Sequence, residues 1–174
     1  MTTGPDDADS PRSGQDAVAA LLLDPATHGG AEVERIDTHI SAVFLAGDRV
    51  FKMKRAVHFG YLDFTDLDAR RAACEAEVRI NRRTAPDIYR TVVPVTRGAD
   101  GALALDGGGE VVEWLVEMRR FDPDLLFDRL AQAGRLDANQ ARALADTIFD
   151  FHEAAPAADL DGGAIVESVL RGNA

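Results

Sequence analysis

A single long helical pattern divides this sequence into two blocks of strand-like sequence, and this order constrains the fold more than any other feature. From residue 66 to residue 85 apolar residues recur at helical spacing, and Pro86 predicts the end of the helix. Thr65 and Asp68 have the spacing of a capping pattern at its start. Both flanking blocks are rich in Val and are broken by glycine-containing turns, which is typical of antiparallel strands. The order predicts an α+β fold in which an antiparallel sheet packs against one helix.

The first block, residues 32–55, predicts a meander of three strands with turn chemistry at Gly47–Asp48. Side chains alternate between the two faces of a strand, so Phe51 and Met53 share one face of the third strand. We expect these two side chains in the core. The opposite face of the same strand carries Val50, Lys52 and Lys54.

The second block predicts three more strands, at Ile88–Val95, Ala102–Leu105 and Val111–Met118. In the last strand one face carries Val112, Trp114, Val116 and Met118. Glu113 and Glu117 alternate with these residues and lie on the other face. We expect both glutamates to point to water.

The remainder of the chain has helical patterns. Asp122–Pro123 predicts an N-cap followed by proline at the first helical position, and Gly134 is placed to end that helix. Asp137 with Gln140 predicts the capped start of a longer helix. Residues 162–174 predict the start of another helix.

These patterns predict three regions along the chain. Residues 1–16 mix Pro, Gly, Ser and Asp without an apolar period, which is typical of a flexible acidic leader. Ser13 and Asp16 have capping-box spacing ahead of a short apolar helix. Residues 17–118 would then form the sheet-rich lobe, and residues 119–174 a hinge and the first helices of a helical portion.

The charge of the chain restricts its partners. With 19 Lys and Arg against 30 Asp and Glu, the formal net charge is −11. Binding to a phosphate backbone depends on Lys and Arg displacing counterions, so we expect no nucleic-acid partner. Cys74 is the single cysteine, which excludes an internal disulfide. The sequence has no long apolar run and no basic, apolar leader, so we expect a cytoplasmic protein with no membrane partner.

The chemistry that the sequence offers rests on two residues rather than on a compact motif. Phosphate-loop, dinucleotide, zinc-hydrolase and serine-hydrolase motifs are absent from the sequence. In kinase-like phosphotransferases a third-strand lysine contacts nucleotide phosphates and is held by a glutamate of the following helix. Lys52 and Glu77 have this arrangement, and helical geometry favours Glu77 over Glu75 because Glu77 lies beside the apolar stripe. Seen alone, both residues are also typical surface charges.

Three longer stretches carry a family resemblance within Val33 to His152. They are IDTHISAVFLAGDRVFKMKRAVHFGYLDF, CEAEVRINRRTAPDIYRTVVPV and VEWLVEMRRFDPDLLFDRL. In order, they resemble the N-terminal part of aminoglycoside phosphotransferase-like proteins, whose bacterial branch is often fused to a P-loop ATP-binding domain. The resemblance implies a protein-kinase-like N-lobe, with a nucleotide between a sheet lobe and a helical lobe that is truncated here.

The resemblance also implies roles for residues around the phosphates. Lys52 would contact them and Glu77 would hold Lys52, with Lys54 as the rival lysine. The loop from Thr38 to Ser41 would lie over the phosphates, where hydroxyl and backbone N–H groups could donate to phosphate oxygens. This loop lacks the glycines that allow close backbone approach.

At the other end of the nucleotide, the resemblance implies an adenine site. Val50 would lie against the adenine ring. The strand from Trp114 to Arg119, which includes Met118, would form the hinge beside it and offer backbone hydrogen-bonding groups.

One departure from the family pattern is decisive for activity. No histidine in the chain begins a His-Gly-Asp string, so the catalytic aspartate and the aspartate that holds Mg²⁺ are missing. We therefore expect the N-terminal part of an ATP- and Mg²⁺-dependent phosphotransferase, inactive as this chain, whose hydroxyl acceptor the sequence does not identify. The alternative is a non-catalytic kinase-like module that binds a partner protein. Either way, uncovered apolar helix surface predicts self-association.

Overall fold

The protein is described here from a computed structural model covering residues 11–157 and 159–172. Two compact units follow each other along the chain. The first ends at Arg135, and the second begins at Leu136. The segment from residue 119, which was predicted to belong to the hinge and helical region 119–174, therefore belongs to the first unit as far as Arg135.

The first unit holds three α-helices and eight strands within the described residues. Its helices are α1 (Pro11–Leu23), α2 (Leu67–Asn81) and α3 (Phe127–Gln132). Its strands are β1 (Val33–Asp37), β2 (Ser41–Ala46), β3 (Arg49–Lys54), β4 (His58–Phe59), β5 (Leu62–Asp63), β6 (Tyr89–Arg97), β7 (Leu103–Leu105) and β8 (Glu110–Arg119). Short 3₁₀ helices lie at Pro25–His28 and Pro123–Leu125.

Six of these strands form one antiparallel sheet in the order β1-β2-β3-β8-β6-β7. The two blocks of strand sequence join at its centre, where β3 pairs with β8 and Val50 lies opposite Met118. β4 and β5 form a separate hairpin, which the sequence analysis did not predict. The predicted α+β class, with an antiparallel sheet built from both blocks, is confirmed.

Helices cover both faces of the sheet. On one face α1 packs Val18 and Leu22 against a cluster that includes Phe51 and Met53, so the prediction that these two residues lie in the core is confirmed. On the other face α2 packs Cys74 and its neighbour Val78 against β8. Burial raises the pKa of the Cys74 thiol to about 12 and keeps it protonated at neutral pH.

The first helix is longer than the sequence predicted. It begins at Pro11, so residues 11–16 are helical and the predicted capping position, Ser13, lies two residues inside the helix. The extra turns place Gln15 against the sheet, where its side-chain amide accepts from the Ala56 backbone N–H and donates to the Lys54 carbonyl. These buried contacts stabilise a segment whose composition resembles a flexible leader. Residues 1–10 of that predicted leader lie outside the described residues.

The start and end of α2 also differ from prediction. Asp66 is the N-cap, because its carboxylate accepts from the Ala69 N–H. Thr65 instead donates its hydroxyl to Asp63. The helix ends at Asn81, since the residues before Pro86 continue as hydrogen-bonded turns.

The prediction that Glu113 and Glu117 point to water is wrong. The alternation along β8 is as expected, but both side chains are buried. Glu113 lies beyond the last pairing of β8 with β3, where side chains from α1 and α2 both reach it. Glu117 accepts from Arg49 and Arg90. Burial is tolerated because each carboxylate has a cationic partner.

The helical segments after β8 largely follow prediction. Asp122 caps a 3₁₀ helix before α3, and Gly134 adopts a left-handed conformation just after α3 ends. In the second unit α4 (Ala138–Glu153) begins with the predicted capping box of Asp137 and Gln140. The unit continues with α5 (Gly162–Gly172). Large apolar side chains of both helices are exposed, among them Leu144, Ile148, Phe149, Val169 and Leu170.

Candidate functional site

A cavity of about 620 Å³ opens on the sheet face that carries Lys52. Strands β1, β2 and β3 form one wall, and the loop between β1 and β2 and the segment that follows β8 complete it. Much of the lining is aliphatic, because the odd-numbered residues of β2, such as Val43 and Leu45, turn to this face. Five residues predicted for a nucleotide site line this cavity: Thr38, Ser41, Val50, Lys52 and Met118.

Lys52 and Glu77 meet at the edge of this cavity. The Lys52 ammonium donates to Glu77 Oε1 at 2.8 Å, so the predicted contact between β3 and α2 is present. Glu77 follows the buried Cys74 by one helical turn, which turns its carboxylate towards the sheet. The Lys52 side chain is 27% exposed, whereas that of Glu77 is only 11% exposed. Part of the Lys52 side chain therefore faces the cavity, while the Glu77 carboxylate is more deeply buried.

Lys54 also reaches Glu77. Its ammonium donates to Oε2, the oxygen that Lys52 leaves free. Lys54 lies two residues beyond Lys52 and so shares its face of β3. It is buried and does not line the cavity. The structure thus brings together both lysines that the sequence analysis treated as rivals.

The electrostatics of this cluster shift the pKa values of two groups, Glu77 and Tyr89. Burial alone would raise the pKa of the Glu77 carboxyl, but hydrogen bonds and charge from Lys52 and Lys54 hold that pKa below its usual value. Glu77 is therefore ionised at neutral pH, and two ammonium groups share one carboxylate. Tyr89 lines the same cavity, and burial raises the pKa of its phenol, with a further contribution from the Glu77 charge.

The loop from Thr38 to Ser41 is closed on itself. The Thr38 hydroxyl accepts from the Ser41 N–H at 3.0 Å and lies 3.1 Å from the Ser41 carbonyl oxygen. The Ser41 hydroxyl is buried and has no hydrogen-bond partner among the described residues. Ser41 lies opposite Lys54 in the β2–β3 pairing, so both side chains leave the same face of the sheet. Of the two predicted hydroxyl donors, Ser41 is thus the one with a free donor at the cavity wall.

Trp114 is outside this cavity. The Arg71 guanidinium of α2 lies 4.7 Å from the centre of the Trp114 ring. The carbonyl oxygen of Trp114 is 3.7 Å from Cys74 Sγ. Trp114 is four residues from Met118, which is about 13 Å along an extended strand. The cavity therefore borders the Met118 end of β8 and does not extend along the strand as far as Trp114. In the predicted hinge the Arg119 N–H donates to the Ile88 carbonyl and is not free for a ligand.

Several residues that line the cavity were not predicted for the site, among them Tyr89, Arg120 and Phe121. Tyr89 lies opposite Met118 in the β6–β8 pairing, a non-local contact that sequence periodicity does not reveal. Arg120 extends from the end of β8 to Glu34 of β1, with 3.5 Å between their charged atoms. Their opposite charges were a usable signal, but only once β1 and β8 were known to lie near each other.

Neither a metal site nor a membrane helix is found in the residues that the structure describes. Within 11–157 and 159–172, no three His, Cys, Asp or Glu side chains cluster in a way that could hold a metal ion. Over the same residues, no helix has the length and apolar content needed to span a membrane.

The first unit is thus an α+β structure with an ionic lysine–glutamate cluster beside an apolar cavity. Comparisons add sequence relatives but no family or fold neighbour. The chain is 30% identical over 119 residues to the uncharacterized protein Rv2004c of Mycobacterium tuberculosis and to the uncharacterized protein Mb2027c of Mycobacterium bovis. The match covers 68% of this chain but 22% of each relative, so the chain spans about a fifth of their length. No family model and no solved structure matches the chain.

Proposed function

We propose that this chain is the nucleotide-binding lobe of a kinase-like phosphotransferase, which would move the γ-phosphoryl group of ATP to a hydroxyl of a small molecule. The observation that carries the proposal is the Lys52 ammonium, held at 2.8 Å by Glu77 at the wall of a cavity of about 620 Å³. An ammonium on a flexible stem needs a fixed carboxylate to be aimed at a polyphosphate.

The spacing of apolar and charged groups in the cavity suits a nucleotide. Val50 and Met118 lie opposite each other on β3 and β8, and both line the cavity. Lys52 lies two residues further along β3, a distance of about 7 Å in an extended strand. A purine against Val50 and Met118 would therefore extend its phosphates towards Lys52.

The donors at the phosphate end also fit this ligand. Lys52 and Lys54 share the single charge of Glu77, so the cluster keeps one net positive charge. The unpartnered Ser41 hydroxyl supplies a neutral donor on the same face of the sheet. Buried donors without partners are costly, and a phosphate oxygen would satisfy this one.

These residues would hold the nucleotide but would not complete the transfer. Mg²⁺ bound with ATP would neutralise the charge that develops on the phosphates during transfer. The sequence lacks the His-Gly-Asp string, and the described residues lack a metal-ligand cluster. We therefore propose that this chain binds ATP without turnover. The proposal specifies the phosphoryl acceptor only as a small molecule with a hydroxyl group.

Titration of the 174-residue chain with ATP by isothermal calorimetry tests the proposal. We expect saturable binding that Lys52→Met weakens about 10- to 100-fold, the range for loss of one charge-assisted hydrogen bond. Arg79→Met is the matched control, since it removes a cation from the exposed face of α2 outside the cavity. Absence of binding at millimolar ATP, or equal losses in the two variants, would refute the proposal.

A second candidate function is a module that binds a partner protein. The exposed apolar side chains of α4 favour it, because Leu144, Ile148 and Phe149 recur on one helical face. Light scattering with size-exclusion chromatography separates the cases. Self-association that Ile148→Asp abolishes supports an interaction surface, and a wild-type monomer of 18.7 kDa argues against self-association through it.

A further inference from the structure

One carboxylate in the candidate site serves two ammonium groups. Glu77 presents Oε1 to Lys52 and Oε2 to Lys54, so neither lysine competes for the other's oxygen. The lysines differ in access: Lys52 lines the cavity, while the Lys54 side chain is 9% exposed and lies outside the lining. A nucleotide in the cavity could therefore be contacted by Lys52 and not by Lys54.

Lys54 is fixed by its surroundings. Its backbone carbonyl accepts from the Gln15 side chain at 2.8 Å, which ties this end of β3 to α1. Its ammonium lies 5.8 Å from the centre of the Phe64 ring, within the range of a cation–π contact. Burying such an ammonium is costly unless a carboxylate neutralises it, and Glu77 does so.

The charge balance shows what the second lysine adds. With Lys52 alone, the ion pair would be neutral, and a phosphate would have to draw Lys52 away from a carboxylate that has no other cation. With Lys54 present, Glu77 keeps a cationic partner while Lys52 turns part of its donor capacity to phosphate. The carboxylate also keeps its orientation, because one oxygen stays bound to a buried group.

We propose that Lys54 is a positioning residue that holds Glu77 in place and charged, so that Lys52 can be shared with a nucleotide phosphate. This inference rests on the proposed function. It assigns separate roles to the two lysines: Lys52 touches the phosphates, and Lys54 acts only through Glu77.

A double-mutant cycle on the 174-residue chain tests this assignment, with ATP and adenosine as the probes. Wild type, Lys54→Met, Glu77→Gln and the double variant are titrated with both ligands by calorimetry. Lys54→Met should weaken ATP binding about tenfold, within the range of coupling between contacting groups, and leave adenosine binding unchanged. In the Glu77→Gln background, Lys54→Met should have no further effect on ATP affinity.

Other outcomes of these titrations would contradict either the positioning role of Lys54 or the proposed ATP binding. Additive losses of ATP affinity in the double variant would show that Lys54 contacts the ligand directly, and the positioning role would be wrong. An equal loss for adenosine would show general damage to the lobe, with the same consequence. If Lys54→Met binds ATP as wild type does while Lys52→Met does not, this inference fails and the proposed function stands. Failure of wild type to bind ATP removes the proposed function itself.

Discussion

Two buried glutamates of the first unit, Glu113 and Glu77, have their negative charges neutralised by different kinds of cationic partner. Glu113 of β8 is fully buried and accepts from Arg70 and Gln15. Glu77 of α2 is slightly exposed and accepts from Lys52 and Lys54. The Glu113 cluster has no net charge and is closed to solvent, whereas the Glu77 cluster has one excess positive charge and borders a cavity.

The difference teaches how a structural ion pair can be told from a ligand site. Arg70 donates from Nε to both oxygens of Glu113, at 2.8 and 3.0 Å, and from Nη1 to the Phe64 and Thr65 carbonyls. Arg70 is also buried, so its guanidinium is not accessible to a ligand. An ammonium makes fewer fixed contacts, so Lys52 keeps donor capacity beside open space.

The largest effect on folding is expected from Arg70→Met. The variant leaves the Glu113 charge buried with only Gln15 and a backbone N–H as partners. Loss of one partner of a buried pair costs roughly 3–5 kcal/mol, so the free energy of unfolding should fall by about that amount in a urea titration.

Arg71→Met is the control for that measurement, since Arg71 is the next residue of α2. It pairs with Glu75 on the helix surface and lies over Trp114, interactions that together contribute about 1 kcal/mol. Similar losses in the two variants would show that closure of the Glu113 cluster contributes nothing to stability.

Much of the sheet could be predicted because strand and helix periods are local. The strands, the faces of β3 and the burial of Phe51 and Met53 follow from alternation alone. Alternation also put Glu113 and Glu117 on the correct face of β8. The burial of Glu113 was missed because its partners include Gln15 of α1, whose first turns have a composition typical of a leader. The burial of Glu117 was missed because its partners, Arg49 and Arg90, come from two other strands. Which face of a sheet is covered is a property of distant segments.

The candidate site could be predicted in part for the same reason. Period-two and 3.6-residue geometry were enough to bring Lys52 and Glu77 together across β3 and α2. They were not enough to show that Lys54 shares the carboxylate, which depends on side-chain reach. Trp114 lies outside the lining of this cavity, and sequence does not show how far a cavity extends along a strand.

An intermediate effect is expected from Glu77→Gln, and it should depend on pH. Because the pKa of Glu77 is lower in the folded state, its contribution is fully present above the unfolded value of about 4.3 and is lost as pH falls through the folded pKa. At pH 7 the variant should lose about 2 kcal/mol, the scale of hydrogen bonds to a charged group. Below pH 4 the difference between variant and wild type should shrink.

Urea titrations of both proteins between pH 7 and pH 3 provide this difference curve, in which the other carboxylates cancel. Glu75→Gln is the control, because Glu75 lies on the exposed face of the same helix. A gap between wild type and Glu77→Gln that stays constant with pH would mean that Glu77 is not stabilised as an anion by the two lysines.

The smallest effect on folding is expected from Lys52→Met, although Lys52 is the residue with the largest proposed effect on ATP binding. Lys54 still neutralises Glu77 in this variant, and methionine keeps most of the apolar stem. Because the Lys52 side chain is 27% exposed, its ion pair with Glu77 should contribute at most about 1 kcal/mol to the free energy of unfolding.

Lys54→Met provides the internal comparison, since the Lys54 ammonium is buried against Glu77 and Phe64. Urea titrations of the two variants should rank Lys52→Met as the more stable. The reverse ranking would mean that the exposed lysine is the structural one, and the contrast between a closed glutamate cluster and one open to a ligand would no longer hold.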